Sequence, residues 1–103
     1  MPAFLIADID VHDDEAYRAY REANPAIVRQ FGGRYIALGG EGKVLEGDWQ
    51  PRRPVIIEVP DMEAIKRFYN SPEYEQLRPI RWKTADSRLV AIETLPDPVD
   101  SPG

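Results

Sequence analysis

"AFLIADIDV" (residues 3–11) decides the fold, because it alternates without leaving either side polar. Leu5, Ala7, Ile9 and Val11 fall on one face of an extended chain. Phe4, Ile6, Asp8 and Asp10 fall on the other. Two later stretches repeat the pattern. "RPVIIEV" (53–59) sets Val55, Ile57 and Val59 against Ile56 and Glu58, and "SRLVAIETL" (87–95) sets Leu89 and Ala91 against Val90 and Ile92. Each reads as a strand with an apolar side chain on both faces.

Helical spacing fills the gaps between them. "DDEAYRAYREANPAIVRQF" (13–31) opens with acidic residues and carries Tyr17, Tyr20, Ile27, Val28 and Phe31 in helical register, with polar Asn24 in the same row. Pro25 is expected to kink or restart this helix, with Asn24 as a second cap. Gly32 stands where a left-handed stop belongs. "RYIALGG" (34–40) reads as another strand and "KVLEG" (43–47) as a short extended piece. "DMEAIKRFYN" (61–70) is a helix capped by Asp61. "SPEYEQLRPIRWKTA" (71–85) restarts with Ser71 as cap and Pro72 in the first turn, and Pro79 is expected to distort or divide it.

The order is β-α-β-β-α-β. It predicts an α+β, ferredoxin-like antiparallel sheet with its helices on one face. Two helices cover one side of such a sheet and leave the other apolar and bare. At roughly 25 cal/mol per Å² of apolar area removed from water, that face calls for a cover. A second copy of the same sheet supplies it, which predicts a homodimer closed as a dimeric α+β barrel. Phe4, Ile6 and Ile56 would fill the interior, together with the carboxylates of Asp8 and Glu58.

The run from Phe31 to Arg81 resembles the family called domain of unknown function 1330. The residues that carry the resemblance are Phe31-Gly32-Gly33, Gly39-Gly40, Glu46-Gly47-Asp48-Trp49, Pro51 with Arg53, Glu58, Phe68-Tyr69, Ser71-Pro72, Tyr74 and Arg81. Val59 departs from the pattern, where an aromatic residue is commoner. The resemblance spans residues 3 to about 94. It implies the dimeric α+β-barrel superfamily, whose members include cofactor-free monooxygenases, haem-degrading enzymes and muconolactone isomerases. It implies no particular activity.

Composition narrows the function classes. With 103 residues the chain makes one domain, taken as residues 1–95, followed by a proline-rich tail over 96–103 read as disordered. A net charge of −5 disfavours nucleic acid and anionic membranes as partners. No cysteine is present, which removes disulfides and thiolate chemistry and fits a cytoplasmic setting. The N-terminus lacks the basic start of a signal peptide, and no apolar run reaches the roughly 20 residues of a membrane span. A single histidine, His12, excludes multi-histidine metal sites, so the reading carries no metal and no cofactor.

The glycines of "GGRYIALGGEGKVLEGDW" (32–49) lack the spacing of a dinucleotide or phosphate loop and read as turns. The sharper feature is the pair of strand carboxylates. Asp8 and Glu58 are the candidate catalytic residues, because a carboxylate inside an apolar barrel needs a cationic partner or a raised pKa. Arg34 and Arg81 are the candidate partners, or anchors for a ligand carboxylate. Tyr74, Ser71, Trp49 and Glu46 complete the candidate ligand-binding set, with the Glu46–Trp49 turn as a lid. Two functions stand side by side. One is a cofactor-independent isomerase or monooxygenase acting on a small metabolite. The other is a non-catalytic ligand-binding or assembly module.

Overall fold

A computed structural model describes residues 1–95. The tail expected over 96–103 lies outside the described residues. Seven elements follow in chain order: β1 (Ala3–Val11), α1 (Asp14–Gln30), β2 (Arg34–Leu38), β3 (Pro54–Val59), α2 (Met62–Tyr69), α3 (Pro72–Thr84) and β4 (Ala85–Glu93). The sheet is antiparallel throughout, in the order β2-β3-β1-β4. This is the ferredoxin-like α+β arrangement expected from the strand and helix order, with α2 and α3 sharing the second crossover.

The two faces of β1 separate as the alternation requires. Ala3, Leu5, Ala7 and Ile9 are buried against the helices with Val55, Ile57 and Val59 of β3. Tyr17, Tyr20 and Val28 of α1, Phe68 of α2 and Tyr74 and Leu77 of α3 close this core. On the opposite face Phe4, Ile6 and Ile56 are only partly covered, while Val90 is 52% and Ile92 46% exposed.

Both internal prolines are carried inside continuous helices, so Pro25 does not restart its helix and Pro79 does not divide its own. A proline removes one donor to the carbonyl four residues earlier. Those carbonyls belong to Arg21 and Glu75, both exposed residues, where water can replace the lost donor. Asn24 is not a cap either. It is buried, and its Nδ2 donates to the Tyr35 hydroxyl at 2.8 Å. The real cap of α1 is Asp13, whose Oδ1 accepts from the Ala16 amide at 3.1 Å.

At the other end of α1, Gly32 takes φ +79°. Its amide donates to the Arg29 carbonyl at 3.0 Å and that of Gly33 to the Val28 carbonyl at 2.9 Å, the paired bonds of a left-handed helix stop. "KVLEG" is not extended. It belongs to a loop, residues 39–53, without regular structure, and Leu45 within it is 87% exposed. A bulge between Tyr35 and Ala37 shifts the β2–β3 register by one residue. Among the described residues no helix is long and apolar enough to cross a membrane.

Candidate functional site

The residues singled out from sequence divide between the two faces of the sheet. Asp8 and Glu58 do share the open face, but Glu58 stands opposite Phe4 in the β1–β3 register. The two carboxylates are therefore separated by four residues, about 13 Å along the strand. Each has its own partner. Arg34 binds Glu58 Oε1 through Nε and Nη2, both at 2.7 Å, with the arginine side chain 73% exposed. Asp8 Oδ1 accepts from the backbone amides of Arg52 and Arg53 at 2.9 and 3.0 Å, and Oδ2 accepts from the Trp49 indole at 3.3 Å. Burial pushes the Asp8 pKa up, but those two amides, the indole and nearby Arg88 outweigh it and hold it below the usual carboxylate value. Asp8 thus fastens the long loop to the open face, and a groove of about 240 Å³ remains between Trp49, Ile6 and Arg88.

Arg81 is not a partner for either carboxylate. It lies on the other side of the sheet, buried at the end of α3, with Nη1 donating to the Ser87 hydroxyl. The reason is helical phase: Arg81 follows Tyr74 and Leu77 by two and one turns and shares their inward stripe. The Ser71 hydroxyl is also occupied, donating to the Phe68 carbonyl at 2.8 Å and accepting from the Tyr74 amide at 3.1 Å as the cap of α3. Glu46 is exposed in the loop.

The enclosed space lies on the helix side instead. A cavity of about 60 Å³ opens between α1, α3 and the sheet. Leu5, Ala7, Ile9, Val55, Ile57 and Leu89 form its apolar floor. Its polar lining is Tyr17, Tyr20, Asn24, Tyr35, Tyr74 and Arg53, with Arg21, Leu38 and Arg53 towards solvent at the mouth. Among the described residues no carboxylate or histidine lines it. Tyr20 and Tyr74 join their hydroxyls at 2.7 Å, and the Tyr17 and Tyr20 rings stack with centroids 5.1 Å apart. Asn24, which gives its amide hydrogen to Tyr35, has an amide oxygen that is buried and without a hydrogen-bond partner among the described residues. Such an oxygen costs stability unless a ligand or water supplies a donor.

The tyrosines are donors rather than bases. Burial raises the pKa of Tyr17, and the Arg53 and Arg21 charges only partly offset this. Burial likewise raises Tyr35, against the pull of its bond from Asn24. Tyr20 is raised by burial and then by Tyr74. All three are protonated at neutral pH. Of the residues singled out from sequence, only Tyr74 lines this cavity. Asn24, Tyr17, Tyr35 and Arg53 were missed, though one signal for Asn24 was visible: it is the polar residue in the apolar row of α1.

Among the described residues no group of three or more His, Cys, Asp or Glu could hold a metal ion. No curated relative matches the chain. Similar solved structures include RPA0582, a protein of unknown function from Rhodopseudomonas palustris, with a TM-score of 0.74 and 23% identity over 93% of this chain and 84% of that one. SnoaB, a cofactor-independent oxygenase from Streptomyces nogalater, superposes with a TM-score of 0.63 and 18% identity over 93% of this chain and 98% of its own. Rv0793 from Mycobacterium tuberculosis gives 0.56 and 19% over 98% and 100%. At these identities the likeness establishes the fold. The family model described as Domain of unknown function (DUF1330) matches residues 2–95, and the chain belongs to that family.

Proposed function

We propose that the chain is a small-molecule enzyme of the cofactor-independent oxygenase type, and that its site is the cavity between α1 and the sheet. The observation that carries this reading is the buried, unpartnered oxygen of Asn24, a residue that lines the cavity together with protonated tyrosines above an apolar floor. An amide acceptor opposite phenolic donors fits a small phenol or enol. The acceptor takes a hydrogen bond from the ligand's hydroxyl; an acidic phenol or enol gives that proton up to water through the open mouth, and the tyrosines then donate hydrogen bonds to the oxyanion left behind. An electron-rich anion of this kind is what reacts with O₂. The likeness to SnoaB supports the oxygenase arm. An isomerase needs a general base beside the substrate carbon, and among the described residues the lining contains no carboxylate or histidine.

On the same reading Asp8 and Glu58 are structural. Asp8 secures the loop and Glu58 neutralises Arg34. The working unit is a homodimer joined through the open sheet face, supported by the half-exposed Val90 and Ile92 beside Ile6 and Ile56. Its cytoplasmic setting rests on composition. The test is NMR titration with single-ring phenols under air, with an oxygen electrode in parallel. Binding should move the Asn24 side-chain amide signals, and Asn24→Leu should abolish both the shift and any oxygen uptake. Phenols that leave Asn24 unmoved would overturn the reading in favour of a non-catalytic assembly module.

A further inference from the structure

The backbone of Arg53 is fixed from three directions. Its amide donates to Asp8 at 3.0 Å, its carbonyl accepts from the Ile9 amide at 3.1 Å, and the next residue's carbonyl, that of Pro54, accepts from the Gly39 amide at 2.7 Å. Its side chain then runs past Gly39, where a Cβ would lie 3.5 Å from Arg53 Cγ and 3.6 Å from Cζ and Nη1. Gly39 has φ +68°, a conformation natural to glycine, so the turn bends the chain and brings its backbone alongside the Arg53 side chain.

That guanidinium lines the cavity and is only partly exposed. Among the described residues no carboxylate lies within ion-pair distance of it and no hydrogen bond uses it. The other cation at the mouth, Arg21, is compensated: its Nη2 lies 2.9 Å from Asp14, and its guanidinium carbon 5.3 Å from the centre of the Tyr17 ring. A chain of net charge −5 has no general attraction for anions. The positive charge at this mouth is therefore local. Arg53 lines the same cavity as Tyr17, and its charge partly offsets the burial that raises the Tyr17 pKa.

We infer that the ligand of this cavity is a small anionic molecule with an apolar body, an aryl carboxylate or close equivalent, whose oxyanion pairs with Arg53 at the mouth while its ring enters towards Asn24 and Tyr35. The inference rests on the reading of the cavity as a ligand site and adds the charge and the orientation of what it takes. A planar guanidinium matches a carboxylate in a two-point bond. The volume limits how far the ring goes in: about 60 Å³ is less than half of the roughly 150 Å³ that takes up benzene in an engineered core, so the enclosed part admits only the leading edge of a ring, and the rest, with the carboxylate, stays in the mouth.

The experiment compares benzoate with benzyl alcohol on the full chain by ¹H–¹⁵N NMR, following the Asn24 side-chain amide and the Arg53 Nε–H. The expected result is saturable shifts of both signals with benzoate and at least about tenfold weaker binding of benzyl alcohol, as befits one charge-assisted contact. Arg53→Gln should erase the difference, and Arg53→Lys should keep part of it. Equal binding of the two probes would overturn the inference while leaving the cavity a ligand site. If neither probe moves Asn24, the inference and the site reading fall together. The comparison of the two probes needs no variant, so it holds whether or not Arg53→Gln folds.

Discussion

The bare sheet face gives a prediction with a calculable size. Val90 and Ile92 stand on β4, opposite Ile6 and Phe4 of β1, and are 52% and 46% exposed. Fully burying such a side chain is worth about 2 kcal/mol, so covering the exposed half contributes about 1 kcal/mol each. Two residues on each of two protomers bring ~4 kcal/mol, close to a thousandfold in dissociation constant. Replacing both by lysine removes that gain and places four charges in the interface. The strand itself should survive, because β4 is an edge strand and lysine is well tolerated there. Sedimentation equilibrium at micromolar concentration should show a wild-type dimer and a V90K/I92K monomer with unchanged far-ultraviolet circular dichroism. A folded wild-type monomer, or a double variant that still dimerises, would refute the reasoning and remove the barrel with it.

Three further outcomes follow from local geometry. Gly32→Ala should lower stability by about 1 kcal/mol or somewhat more in urea melts, since alanine is strained at φ +79° and its Cβ would meet Pro60 Cγ at 3.0 Å; an unchanged midpoint would show that the turn relaxes freely. Glu58→Gln breaks a pair whose arginine is 73% exposed, so it should cost a monomer less than about 1 kcal/mol, and the loss should grow with protein concentration as the dimer encloses the pair. Asp8 is held below its ordinary pKa, so its contribution is complete above the unfolded value near 3.9 and disappears as pH falls through the folded one. Asp8→Asn should flatten the acid limb of a stability–pH curve, and Trp49 fluorescence should report the freed loop.

The four strands and the two-sided sheet were legible because alternation with period two is a direct imprint of burial, and Leu5 against Ile6 or Ile57 against Ile56 leaves little freedom. The glycine stop at Gly32 was legible for a similarly local reason. The prolines misled because their penalty depends on which carbonyl loses its donor, and those of Arg21 and Glu75 belong to exposed residues. The pairing of the candidate residues was not legible. Carboxylates on a face that a dimer would bury suggested chemistry, yet Glu58 finds Arg34, and Asp8 finds two backbone amides from 44 and 45 residues away. Contacts of that separation leave no spacing signal. Asn24 and Tyr35 meet across a helix stop, and Arg53 reaches the same space through a loop with no regular structure.

The bulge in β2 has a consequence for how the chain tolerates changes in length. Tyr35 and Leu38 both line the helix-side cavity, an odd interval that strict alternation forbids, and Ile36 is the residue that makes up the count. Ile36 therefore behaves as an absorbed insertion. Deleting it would return β2 to plain pleating while Arg34 stays opposite Glu58 and Tyr35 opposite Ile57. A second inserted residue, by contrast, would invert the strand beyond it and carry Leu38 away from the mouth.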